Sequence, residues 1–101
     1  MFEFHITKNG EEATIEFIGN LSVKDSSKIK SELIQLKEAG IKRLTFDFGK
    51  LAYLDSSGIG VLLHAYNWTK EKQGTIRIIN MSPEVKTIFM ISNLIDAFNV
   101  Q

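Results

Sequence analysis

The stretch Asp55-Ser56-Ser57-Gly58-Ile59-Gly60 (DSSGIG) decides how this sequence folds, because it joins two segments with different hydrophobic periods. Before it, the run Leu44–Phe48 (LTFDF) alternates apolar and polar residues, which is typical of a half-buried β-strand. After it, apolar residues recur at the spacing of an amphipathic helix: Ile59, Leu62, Leu63 and Tyr66. The stretch therefore predicts a strand–loop–helix unit, with two hydroxyls, one carboxylate and two glycines at the start of the helix. The free backbone N–H groups at such a place favour an anion.

Two further strands are predicted before this unit. The runs 2–7 and 13–17 alternate apolar and polar residues with the period of a half-buried strand. Asn9-Gly10 between them predicts a tight hairpin turn, because both residues tolerate positive φ. We expect Gly19-Asn20 to end the second strand.

Two helices are predicted from caps and spacing. Ser22 with Asp25 three residues later indicates the start of the first helix, and Gly40 suits its left-handed terminus. Lys30 is expected on the solvated face of this helix, together with other basic residues. The second helix follows the DSSG segment, with Gly74 as its expected stop.

The remaining signals complete one α/β domain. Thr75–Ile79 is a predicted strand, and Ser82-Pro83-Glu84 is a typical helix start. The order is therefore ββαβαβα, and we expect a mixed four-stranded β-sheet with helices packed on one face, joined by parallel crossovers. Loops at the carboxyl ends of parallel strands usually meet ligands or partners, and the DSSG segment lies there.

The composition suits a small globular protein. With 101 residues and 44% apolar content, the chain is expected to form a single domain, 1–101. Twelve basic and twelve acidic side chains cancel, so neither nucleic acid nor a membrane surface is the expected partner. Cysteine is absent, which excludes disulfides and thiolate chemistry. The N-terminus alternates like a strand rather than a signal peptide, and we expect a cytoplasmic protein.

An enzyme is not expected. A nucleophilic serine needs a general base within about 2.6 to 3.2 Å of its hydroxyl. His64 lies roughly 12 Å from Ser56 at about 1.5 Å per helical residue, and nothing in the sequence brings His5 close. The Gly-x-Ser-x-Gly elbow is absent, and two isolated histidines are too few for a metal site.

No cofactor is expected either. A dinucleotide-binding loop needs three glycines, and Leu63 occupies the third position after Gly58 and Gly60. Asn80 stands at the end of the next strand, where that kind of site needs an acid.

The simplest role of Ser56 or Ser57 is to cap the helix, and Asp55 is either a cap or a residue that orients the hydroxyl. Capping does not explain Gly58 and Gly60, since each costs up to about 1 kcal/mol relative to alanine inside a helix. Close approach by another protein's backbone would explain both glycines. They therefore favour a surface that contacts another protein.

The stretch Phe46–Leu63 closely resembles the phosphorylation-site region of STAS domains, in particular that of bacterial anti-sigma factor antagonists. The resemblance extends to the bend Gly19-Asn20-Leu21, to the helix start Ser82-Pro83-Glu84-Val85 and to the closing stretch Ile91–Phe98. It covers nearly the whole chain, and it implies the STAS fold.

The resemblance also implies a regulatory role. Ser56, directly after the aspartate, would be phosphorylated by a partner that is both an anti-sigma factor and a serine kinase, with ATP and magnesium on its own chain. The unphosphorylated protein would bind that anti-sigma factor and free a sigma factor, and a serine phosphatase would reset the switch. The residues expected to contact the partner are Asp55, Ser57, Gly58, Gly60 and Ser22.

Two positions depart from the family pattern: Ser22 stands where an acid is frequent, and Asn93 stands where glycine is usual. A second interpretation stays open, namely a non-switching STAS-like scaffold or a small-ligand sensor in a signalling assembly. In that case Ser56 would only cap its helix. The sequence also leaves open whether Ser56 or Ser57 accepts the phosphate.

Overall fold

The computed structural model describes residues 2–91 and Phe98. Its strands are β1 (Phe2–Asn9), β2 (Glu12–Leu21), β3 (Arg43–Leu54) and β4 (Thr75–Ile79), and its helices are α1 (Val23–Glu38), α2 (Ser56–Glu71) and α3 (Pro83–Ile91). The predicted order ββαβαβα is confirmed. The interior of the closing stretch, including Asn93, lies outside the described residues.

The strands form one four-stranded sheet in the order β1-β2-β3-β4. β1 and β2 pair antiparallel, whereas β2 and β3, and β3 and β4, pair parallel. The predicted mixed sheet is therefore confirmed. Because β2 and β3 are parallel neighbours, the places where they lead into α1 and α2 lie side by side at one edge of the sheet.

One face of the sheet is buried beneath the helices, as predicted. On β2, Ala13, Ile15 and Phe17 are buried, whereas Thr14 and Glu16 point to the opposite, open face. The helices cover the buried face with apolar side chains: Ile29, Leu33 and Leu36 from α1, Val61, Leu62, Ala65 and Trp68 from α2, and Val85 and Phe89 from α3.

The hairpin turn lies one residue later than predicted. Asn9 pairs with Glu12, so the turn residues are Gly10 and Glu11 rather than Asn9 and Gly10. Gly10 has φ 62°, and neither Asn9 nor Glu11 has a positive φ. A positive φ at the first central residue alone is typical of a type II′ turn, which needs glycine at that place.

β2 and β3 are longer than predicted. Gly19-Asn20 does not end β2: the register with β3 shifts there, Gly19 takes φ 92°, and pairing continues to Leu21 opposite Leu54. The residues after Phe48 were expected to form a loop, but they belong to β3 because its pairing with β2 also continues there. The extension carries both strands up to the helix starts that form the candidate site.

The glycines after α1 and α2 have different roles. Gly40 has φ 86°, which confirms the predicted left-handed end of α1. α2 ends at Glu71, shortly before Gly74, as the sequence predicts, and the left-handed residue at this end is Gln73, with φ 59°. A Cβ at position 74 would collide with the carbonyl of Lys42, and the next residue, Thr75, donates its N–H to that carbonyl at 2.9 Å. Gly74 is therefore required by the close approach of two backbones.

Candidate functional site

The candidate site lies where β2 and β3 enter their helices. The backbone N–H of Asp55 donates to the carbonyl of Leu21 at 3.2 Å, so the two chain segments are joined at the residues that precede α1 and α2. Ser22 and Ser56 each follow one member of this bonded pair. The sheet thus brings together residues that lie more than 30 positions apart in the sequence.

Asp55, rather than either serine, caps α2. Its carboxylate Oδ1 accepts a hydrogen bond from the backbone N–H of Gly58 at 3.1 Å, and its backbone is extended, as an N-cap residue requires. The interpretation of Ser56 or Ser57 as the cap is therefore wrong. A carboxylate also suits the positive end of the helix dipole better than a hydroxyl does.

The two serines inside the first turn differ in exposure. Ser56 is exposed, and its hydroxyl makes no hydrogen bond within residues 2–91 and 98. Ser57 is partly buried and lines a groove between α1 and α2. Because Asp55 performs the capping, the Ser56 hydroxyl is uncommitted and open to solvent.

Gly58 faces the inside of the domain. It is buried, and a Cβ there would lie 3.1 Å from side-chain atoms of Leu21 and 3.2 Å from the Cβ of Leu54. The expectation that Gly58 admits a partner's backbone is therefore corrected, because the packing of β2 and β3 against α2 accounts for the absent side chain.

Gly60 faces outward. It is exposed, and a Cβ at this position would meet nothing within 4 Å. Nothing inside the domain requires glycine here, although glycine weakens a helix by up to about 1 kcal/mol relative to alanine. The interpretation of Gly60 as a place kept free of a side chain for a partner therefore stays a prediction.

Ser22 occupies the N-cap position of α1 but does not cap the helix with its side chain. Its hydroxyl points to the carboxylate of Asp25 at 3.4 Å, while its carbonyl accepts from the N–H groups of Asp25 and Ser26. The predicted side-chain cap at Ser22 is therefore not formed, since the hydroxyl donates to Asp25 and accepts nothing from the backbone of α1.

The groove between α1 and α2 adds residues that the sequence analysis did not assign to the site. Its volume is about 440 Å³, and it is lined by Ser26, Ser27, Lys30, Ser57, Gly60 and Val61. Lys30 was expected only on a solvated face. Helical spacing could have indicated that Ser26, Ser27 and Lys30 share one side of α1, but not that this side faces Ser57.

Apolar side chains are exposed beside the site. Val23, the first residue of α1, is 66% exposed, and Tyr53, which precedes Leu54 on β3, is 54% exposed. Exposed apolar groups next to hydroxyls and a carboxylate are typical of a surface that another protein covers.

The histidines do not join the serines. His5 lies on β1 and points to the open face of the sheet, on the side away from α2. His64 is partly buried on α2, and its Nε2 has no hydrogen-bond partner among the described residues. Within residues 2–91 and 98 there is no group of three or more metal-binding side chains, and no helix is both long and apolar enough to cross a membrane.

Comparisons with known proteins agree with this architecture. Residues 3–101 match the family model of the STAS domain. The anti-sigma-B factor antagonist of Bacillus subtilis is 23% identical over 95 residues, covering 94% of this chain and 86% of that protein. The anti-sigma-B factor antagonist of Listeria monocytogenes is 26% identical over 85 residues, covering 82% and 73%. The Bacillus cell fate determinant SpoIIAA, in its phosphorylated form, has the same fold, with a TM-score of 0.81 at 21% identity over 98% of this chain and 91% of that chain.

Proposed function

The chain belongs to the STAS domain family, and from this premise we propose that it is an anti-sigma factor antagonist that phosphorylation of Ser56 switches off. The unphosphorylated protein binds an anti-sigma factor that is also a serine kinase, and this binding releases a sigma factor in the cytoplasm. The kinase holds ATP and magnesium on its own chain, so this chain supplies an acceptor hydroxyl and a binding surface, without catalysis. A serine phosphatase removes the phosphate and restores binding.

The exposure of Ser56 is the observation that carries this proposal. Its hydroxyl is open to solvent and bonded to nothing in the described part of the chain, because Asp55 caps the helix. A kinase can reach such a hydroxyl without unfolding the helix. Ser57 is partly buried in the groove between α1 and α2, which supports Ser56 as the acceptor.

The physical chemistry of phosphate suits a local block of binding. A phosphoserine carries about −1.5 to −2 charges at neutral pH. At the first residue of α2 the helix dipole tolerates that charge, so the fold survives. At an interface the same charge weakens binding if the partner presents acids or apolar surface there.

The surface around Ser56 provides the contacts that a partner needs. Asp55, Ser57 and Gly60 surround it on α2, and Ser22 lies close by at the start of α1. Gly58 lies on the inner side of this surface, where the absence of a side chain lets α2 pack closely on Leu21. We assign the partner contacts to the four outer residues.

Phosphate incorporation tests this proposal. The protein is incubated with ATP, magnesium and a candidate anti-sigma kinase, and Ser56→Ala is compared with Ser57→Ala as its matched control. We expect label in the wild type and in Ser57→Ala, but none in Ser56→Ala. Mass spectrometry of the labelled chain then identifies the modified residue.

Two results would contradict the proposal. Label that disappears in Ser57→Ala and persists in Ser56→Ala would move the switch to the groove. The proposal would also fail if a kinase that phosphorylates its own antagonist left the wild-type chain unlabelled, because Ser56 would then have no role as acceptor.

A small-ligand sensor is the second candidate, and a depression on the open face of the sheet favours it. The depression has a volume of about 520 Å³, and its lining includes Thr45, Arg77, Glu12 and Arg43. Arg43 pairs with Glu12 at 3.1 Å, whereas Arg77 donates from Nε to the Thr45 hydroxyl at 3.0 Å. A sensor would retain a bound small molecule at this place and would not be labelled by a kinase.

A further inference from the structure

We propose that the groove between α1 and α2 receives an acidic segment of the anti-sigma factor, and that Lys30 pairs with its carboxylate. The inference rests on the proposed function, since it names the part of the partner that the candidate site binds. It concerns the groove that α1 forms with the helix of the serine, and Lys30, a residue that the family resemblance does not supply.

The groove has the shape of a docking site for part of another chain. Its volume of about 440 Å³ accommodates a few side chains, and it opens directly beside Ser56 because Ser57 lines it. Val61, which is only 6% exposed, provides an apolar lining. The hydroxyls of Ser26 and Ser27 lie on the α1 side.

The charge of the groove selects an acidic occupant. Lys30 is the single charged side chain among its lining residues, and it is exposed. None of the ion pairs in the described part of the chain involves Lys30. A carboxylate brought by a partner would therefore meet a cation that forms no ion pair with an acid among residues 2–91, and charge complementarity of this kind selects partners.

Apolar side chains flank the lysine. Val23, Ser27, Lys30 and Ile34 follow one another at helical spacing, so they lie along one side of α1. Val23 is 66% exposed and Ile34 is 37% exposed. The matching segment of the partner accordingly carries an acidic residue between apolar ones, and it buries Val23 and Ile34 when it binds.

Gly60 gives the groove its width. A side chain at position 60 would enter open space rather than meet another part of the domain. Its absence exposes the backbone of α2 opposite Lys30, and a partner can approach that backbone closely. This close approach explains why position 60 is a glycine, although glycine weakens the helix.

An acidic occupant also explains how the phosphate acts. Ser56 precedes Ser57, which lines the groove, so a phosphate on Ser56 lies next to the bound carboxylate. The two negative charges repel each other, and the phosphate competes with the carboxylate for Lys30. Both effects weaken binding without changing the fold.

The test is the affinity of the unphosphorylated chain for the anti-sigma factor, measured by isothermal titration calorimetry. Lys30→Glu and Lys30→Gln are compared with Lys28→Glu, a matched control on the same helix. The ammonium of Lys28 lies 5.6 Å from the ring centre of Phe4 on β1, and Lys28 is not among the residues that line the groove. Circular dichroism checks that each variant is folded.

We expect Lys30→Glu to raise Kd at least about tenfold, Lys30→Gln to raise it less, and Lys28→Glu to change it by about twofold or less. Affinity of the wild type should fall with added salt, and this dependence should be weaker in Lys30→Gln. Single acidic residues of the partner can also be replaced by lysine (Glu→Lys or Asp→Lys). One of these partner variants should bind the Lys30→Glu chain more tightly than it binds the wild-type chain.

Equal Kd values for Lys30→Glu and Lys28→Glu would overturn the inference. If Ser56→Asp still loses binding in that experiment, the proposed function stands and only the groove is excluded as the acidic site. A wild-type chain that binds no anti-sigma factor of its own organism would overturn both the inference and the proposed function.

Discussion

Two glycines near the start of α2 have opposite surroundings. Gly58 faces inward and leaves room for Leu21 and Leu54, whereas Gly60 faces outward into open space. They are separated by a single residue, and the sequence alone gives both the same interpretation. The contact that a Cβ would make distinguishes them: the fold requires the first glycine, and it does not require the second.

The comparison distinguishes a side of α2 that stabilises the domain from a side to which we assign recognition of a partner. The inner side of the first turn holds the Asp55 cap and the packing on β2 and β3. The outer side carries Ser56 and Gly60, which are exposed, and a side chain added at position 60 would meet nothing within 4 Å. We therefore expect the domain to stay folded when residues of the outer side are changed or phosphorylated.

The largest effect on stability is expected on the inner side. Gly58→Ala places a Cβ against Leu21 and Leu54, which are fully buried and close-packed. Overpacking typically costs about 1 to 3 kcal/mol, and the gain in helix propensity offsets up to about 1 kcal/mol of it. We therefore expect a net loss of up to about 2 kcal/mol in the free energy of unfolding, measured by urea denaturation. A stabilised Gly58→Ala would contradict the assignment of Gly58 to the fold.

A smaller effect of opposite sign is expected on the outer side. Gly60→Ala meets nothing within 4 Å and removes the entropic cost of glycine. The variant should gain roughly 0.5 to 1 kcal/mol in the free energy of unfolding. The same variant should bind the anti-sigma factor more weakly than the wild type, because a methyl group enters the surface opposite Lys30.

Gly60→Ala separates stability from binding, and each readout has its own control. Gly58→Ala serves as the matched substitution for stability, and Lys28→Glu serves as the surface control for binding. A Gly60→Ala variant that is more stable and binds as tightly as the wild type would remove Gly60 from the contact surface.

Much of the fold could be predicted because strict alternation identifies half-buried strands. Leu44–Phe48 and the runs on β1 and β2 all lie in strands of the expected sheet. The errors fall where tertiary contacts override local signals. Gly19 predicts the end of a strand, yet the pairing of β2 with β3 continues past it. The helix does end before Gly74, but the close approach of the Lys42 carbonyl, which requires glycine there, is a tertiary contact that the sequence does not indicate.

The candidate site was predicted only in part. The sequence places Asp55 and Ser56 at the start of a helix, which the structure confirms. It does not decide which of the three neighbouring polar residues is the cap, because aspartate and serine are equally good candidates there. The groove could not be predicted, since Lys30 and Ser57 come together only through the parallel pairing of β2 and β3.

The most direct test of the central claim is the affinity of one anti-sigma factor for this chain before and after stoichiometric phosphorylation of Ser56. We predict that phosphorylation weakens binding by about a hundredfold or more, while the circular dichroism spectrum stays unchanged and the melting temperature moves by less than about 5 °C. Equal affinity of the two forms would contradict the claim that Ser56 is the switch. Loss of binding accompanied by unfolding would contradict the claim that the block is local.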